Sequence, residues 1–156
     1  MSIKIYEGVI ESLGDKWSKG CYYQYNKLMM VDGTRVRRRF IVTEEMDDVL
    51  QEVLQSGEKV KLHMTIMTQE TQSGALLALE RANGVVYALN PPIIPRAFKF
   101  WGPVILVFSL VTLPFGVGFI TLWAWWTIKK QMSSTNALRD HLNSLKGAIR
   151  VDQDLK

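Results

Sequence analysis

Between Lys99 and Lys129 the chain carries no charged residue. That run is well above the roughly 18 residues that separate a membrane helix from a buried core helix, and it predicts membrane insertion. A single helix over Phe100 to Ile128 would be about 43 Å long, against a hydrocarbon thickness of about 30 Å. At its centre stands Leu113-Pro114-Phe115-Gly116-Val117-Gly118, where a proline and two glycines weaken a continuous helix. Both flanks are basic, with Arg96 and Lys99 before and Lys129 and Lys130 after. The cytoplasmic preference of Lys and Arg is met at both ends only if the segment turns back. The expectation is a transmembrane or re-entrant helical hairpin over residues 96–131, turning at Pro114, Gly116 and Gly118. Trp101, Trp123, Trp125 and Trp126 would sit with those four basic residues at the membrane interface.

The charge is unevenly placed. Residues 1–90 hold eleven Lys or Arg against twelve Asp or Glu, while residues 91–156 hold eight against three, so the surplus lies beside the apolar run. Basic residues in that position point to anionic lipid before nucleic acid. Met1 to Glu11 alternates apolar and polar residues and already carries acidic groups, which is not the pattern of a secretory leader. The implied placement is an integral membrane protein of a prokaryotic inner membrane, with both termini cytoplasmic.

Ahead of the apolar run, the periodicities describe a small β-rich domain over residues 1–90. Residues 3–12 read as a strand, and Tyr22 to Val31 and Thr34 to Val42 flank the tight-turn pair Asp32-Gly33. Thr43 can cap a helix in which Met46, Val49, Leu50, Val53 and Leu54 recur at helical spacing, with Gly57 as the stop. From Glu58 the period is two: Val60, Leu62, Met64 and Ile66 face one way and Lys61, His63 and Thr65 the other. Turns at Gln72-Ser73-Gly74 and Asn83-Gly84 then give two further strands. The fold class is therefore α+β, with six short strands and one helix. That element order resembles an OB-like or SH3-like barrel, a resemblance without a binding motif behind it. Residues 91–95 form a proline-rich linker. Leu138, Leu142, Leu145 and Ile149 predict an amphipathic helix within residues 132–156, ending in a frayed tail.

Candidate sites are few. Arg35, Arg37 and Arg39 would share one face of a strand, with Val36, Arg38, Phe40 and Val42 on the other, which makes an anion or partner face or a solvated surface paired with local carboxylates. Cys21, His63 and His141 are the residue types most used as nucleophile, base and metal ligand, but no spacing joins them, and two histidines 78 positions apart do not make a zinc site. Tyr22, Tyr23 and Tyr25 fit strand packing better than ligand stacking. Gly116-Val117-Gly118 lacks the remainder of a nucleotide-binding loop. No cofactor or metal is implied and no catalytic residue stands out. The expectation is a non-enzymatic, membrane-tethered binding or adaptor module whose partners are membrane lipid and another protein, with self-association compatible and nucleic acid disfavoured. The alternative is a membrane effector whose hairpins oligomerise into a pore or lesion under control of the β domain.

Overall fold

A computed structural model describes residues 2–37, 39–66, 73–92, 104, 106–108 and 117–151. The chain divides into two units, residues 1–90 together with 141–156, and residues 91–140. The first unit holds a ten-stranded sheet whose main path runs β2-β3-β6-β8-β7-β1-β4-β5, with β9 on β8 and β10 on β9. In chain order these are β1 (Ser2–Leu13), β2 (Lys16–Lys19), β3 (Tyr22–Tyr25), β4 (Leu28–Met30), β5 (Arg35–Arg37), β6 (Arg39–Thr43), β7 (Lys59–Ile66), β8 (Ser73–Glu80), β9 (Val86–Leu89) and β10 (Ile149–Val151). Helix α1 (Glu44–Ser56) joins β6 to β7, and a second helix, α2 (Val117–Ser144), precedes β10.

The strands follow from local pattern. The Asp32-Gly33 turn closes through Gly33 N–H to Met30 O at 2.9 Å, and Asp32 Oδ1 accepts from Thr34 N–H at 2.8 Å. The side-chain acceptor two residues back is what favours Asp in such turns. Beyond the turn the hairpin continues in two pieces, β4 on β5 and β3 on β6. Because β8 is reached from β6 through α1 and β7, it returns parallel to β6 over Arg39↔Ser73 to Ile41↔Ala75. Strand β1 is long enough to pair with β7 over Ser2–Val9 and with β4 from Ile10 onward, and its register shifts between Ile10 and Ser12.

The core comes from alternate strand positions and one stripe of α1. Leu28, Met30, Phe40, Val42, Val60, Leu62, Met64, Leu76 and Leu79 are buried, and Met46, Leu50 and Val53 on α1 close over them. That helix starts with Glu44, Glu45 and Asp47 in its first turn, where the peptide dipoles favour negative charge. Thr43 makes no side-chain cap: its Oγ1 is buried without a partner among the described residues. Gly57 ends the helix as expected, at φ +64° with its N–H on Val53 O.

Three expectations are corrected. The architecture is a β-rich half-barrel sheet of ten strands with helices, rather than six strands and one helix, and the membrane hairpin expected after it is not supported. Among the described residues no helix is long and apolar enough to cross a membrane. The transmembrane hairpin, the integral-membrane assignment and the inner-membrane placement drawn from it are therefore not supported. The physical reason lies in α2. Its uncharged part, Val117 to Ile128, spans about 18 Å at 1.5 Å per residue, far short of about 30 Å, and the helix then runs on without a break through Lys129 and Lys130 to Ser144. Gly118 belongs to the first turn of this helix rather than to a reverse turn. Pro114, Gly116, Arg96, Lys99 and Trp101 lie outside the described residues. The third correction is at the C-terminus, where Ile149 is in a strand and not on a helix: α2 stops at Ser144, and β10 pairs parallel with β9.

Candidate interaction face

Lys16-Trp17-Ser18-Lys19 forms β2 at one end of the sheet, and its alternation decides which side chains reach solvent. Lys16 lies opposite Tyr25, which lies opposite Phe40, and this row points to the core. Trp17 lies opposite Gln24, which lies opposite Ile41, which pairs with Ala75, and that row points the other way. Tyr22 and Thr43 occupy the next outward pair, and Arg39, two residues before Ile41, completes the outer side of β6. Trp17 is 49% exposed and Tyr22 37% exposed, while Arg39 is exposed and forms no ion pair among the described residues. Neighbouring strands stand about 4.8 Å apart, so Trp17, Gln24 and Ile41 cover roughly 10 Å across the sheet.

A buried polar cluster holds the edge strand that presents Trp17. Asp47, on the inner side of α1, is 1% exposed and accepts hydrogen bonds from Tyr25 Oη and Lys16 Nζ. Tyr25 Oη in turn accepts from Gln51 Nε2 at 2.8 Å. The Tyr25 ring stacks on Phe40 with centroids 5.2 Å apart, and Lys16 Nζ sits 3.6 Å from the centre of the Tyr23 ring. Burial, with the Asp47 carboxylate beside it, pushes the Tyr25 hydroxyl well above its ordinary value. The hydrogen bond to Asp47 raises Lys16 above the usual lysine range. Both groups thus keep their protons, and both donate them to Asp47. The cluster ties β2 and β3 to α1, which leaves Trp17 no inward alternative.

The sequence-predicted residues end up in different places. Arg35 and Arg37 are on β5 and Arg39 opens β6, with one residue between the two strands. Arg35 is exposed without an ion pair among the described residues, and Arg38 lies outside them. The three tyrosines separate by role: Tyr25 is buried, Tyr23 lies against Lys16, and Tyr22 faces solvent. Cys21 is exposed in the β2–β3 turn, three strands away from His63 on β7. His63 instead meets His141, with Nδ1 and Nε2 2.9 Å apart. On α2, Trp123 and Trp126 are exposed, and Lys129 and Lys130 place their ammonium groups 4.9 Å and 5.3 Å from the ring centres of Trp125 and Trp126. Sequence reasoning missed Trp17. The available signal was Gly20-Cys21 between Lys-Trp-Ser-Lys and Tyr-Tyr-Gln-Tyr, a short-turn pattern between two runs with strand-forming aromatics.

No protein family, curated protein or solved structure matches this chain.

Proposed function

We propose that the β unit is a non-enzymatic protein-binding module that docks a polypeptide on the outer face of β2, β3 and β6. The observation that carries this reading is the convergence of Trp17, Tyr22 and Arg39 on one outward face of adjacent strands. Tryptophan, tyrosine and arginine are the residues in which binding energy at protein interfaces concentrates. A large aromatic left half in water on an edge strand gains from being covered, and the free guanidinium favours a partner that brings a carboxylate. The buried Asp47 cluster fixes the strand that carries Trp17, which lowers the ordering cost of binding.

The test is site-specific photocrosslinking in cells. A photoreactive residue at position 24, between Trp17 and Ile41, should give discrete adducts, and one at Asp48 on the exposed side of α1 should not. Trp17→Ser or Arg39→Glu should each remove the adducts, since an anchor of this kind carries at least about 2 kcal/mol, or roughly 30-fold in affinity. Equal crosslinking from both positions, or adducts indifferent to both substitutions, would refute the proposed face.

A further inference from the structure

The chain has two histidines, 78 positions apart, and the fold brings their rings together. His63 is on β7, on the side of that strand that would be polar if it faced water, yet it is only 5% exposed, and Thr65 on the same side is fully buried. Over His63 lies His141 of the returning C-terminal segment. Its attachments are specific: Leu142 and Val151 are buried, β10 pairs with β9 over Ile149↔Tyr87 to Val151↔Leu89, and Arg150 donates to Leu89 O at 3.2 Å and to Leu142 O at 2.8 Å. A single row of paired residues crosses this face, Ile5–His63–Ala78–Ala88–Arg150. Two small alanines leave the imidazole and the guanidinium as its polar members.

We propose that the His63–His141 contact is a proton-operated latch, holding residues 141–151 against the sheet while both rings are neutral and releasing them when the rings take up protons. The tautomers follow from what each nitrogen can reach. His63 Nε2 is buried without a partner among the described residues, and a lone pair is cheaper to strand there than an N–H donor. Neutral His63 therefore carries its proton on Nδ1 and donates to Nε2 of His141. A first added proton placed on His141 Nε2 must turn His63 into the other tautomer and strand a buried N–H. Placed on His63 Nε2, it strands a buried donor on a cation. A second proton puts two cations in contact. Each addition costs the docked state more than the free segment, where both rings are hydrated.

The surrounding charges do not reverse this. Glu80 on β8 favours protonation of His63, but it is bridged at 3.2 Å to Lys61 of β7, which opposes it. Arg150 of β10 also adds positive charge to the same row, and Asp140, next to His141, is exposed and lies 3.7 Å from Arg139. Burial first and His141 second hold His63 below its ordinary value of 6.5. A group depressed in this direction leaves the docked state fully stable above about pH 6.5 and weakens it as the pH falls below that value, by up to about tenfold per pH unit for each proton taken up. Two imidazoles alone fall short of a metal site, and among the described residues no group of three His, Cys, Asp or Glu that could hold one occurs.

Hydrogen exchange on the full chain, corrected for the intrinsic pH dependence of amide chemistry, reads the latch directly. Between pH 7.5 and pH 5.5, amides of 149–151 should open more by up to about tenfold for the His63 proton, while those in the β1–β7 ladder hold. His141→Gln keeps an acceptor for His63 Nδ1–H and removes the second cation but leaves His63 buried, so its corrected opening should depend on pH less steeply than that of the wild type. His63→Leu removes the buried imidazole itself, so its opening should be independent of pH, and if it fails to fold, the reduced dependence of the more exposed His141→Gln decides. The latch is wrong if the wild-type opening is the same at both pH values, if His141→Gln retains the wild-type dependence, or if the β1–β7 amides open in parallel with 149–151.

Discussion

Replacing Asp47 with alanine removes the acceptor on which Tyr25 and Lys16 converge, and the cost can be worked from the burial of each partner. Tyr25 is 1% exposed and would lose a hydrogen bond to a charged group, about 1.5 to 3 kcal/mol. The Lys16 side chain is 38% exposed and can turn to water, so its share is that of a surface pair, under about 1 kcal/mol. Loss of a carboxylate from the first turn of α1 adds about 0.3 to 1 kcal/mol. Urea unfolding should therefore show Asp47→Ala destabilised by about 3 kcal/mol with an unchanged denaturant slope. Tyr25→Phe should cost about 1 to 2 kcal/mol by itself, because Gln51 and Asp47 each lose a partner. The double variant should cost less than the two single variants together, by roughly 1 kcal/mol or more, as expected of groups in one network. A cost for Asp47→Ala below about 1 kcal/mol, or strict additivity with Tyr25→Phe, would refute the claim that this cluster anchors the edge strand.

Phe40→Ala empties a fully buried position stacked on Tyr25 and should cost about 3 to 5 kcal/mol in the same assay. Gly57→Ala places a Cβ at φ +64°, where nothing crowds it but the backbone disfavours it, so about 1 kcal/mol of stability should be lost. Trp17→Ser should change stability by no more than about 0.5 kcal/mol while removing the crosslinks at position 24. A larger thermodynamic loss would mean that Trp17 packs on its own fold.

How far the sequence could be read depended on whether a signal was local. The Asp32-Gly33 and Asn83-Gly84 turns, the α1 stripe of Met46, Leu50 and Val53, and the stop at Gly57 are set by residues within a few positions of one another, and all of them form. The alternation in β7 was legible too, but its meaning was not. His63 looks like part of a solvent face until His141, 78 positions later, returns to lie against it, and no periodicity reports that. Leu138, Leu142, Leu145 and Ile149 keep helical spacing past Ser144, yet Gly147 at φ +75° turns the chain, and Ile149 enters a strand instead. The membrane reading leaned on the absence of charge and undercounted length. Three tryptophans and a lysine pair make the second arm less apolar, and shorter in its apolar part, than a span needs.

Strand β9 has β8 on one side and β10 on the other, and β10 lies about sixty residues further along the chain. During synthesis at about 5 to 20 residues per second, the outer edge of β9 stays unpaired for several seconds after β8 and β9 have formed their hairpin. An open edge with Val86, Tyr87, Ala88 and Leu89 is a template on which a foreign strand can pair. Nascent chains of this protein are thus most exposed to mispairing in the interval between Leu89 and Ile149. Slow translation of residues 90–148 should lengthen that interval and lower the yield of folded chain without altering the stability of the molecules that complete it.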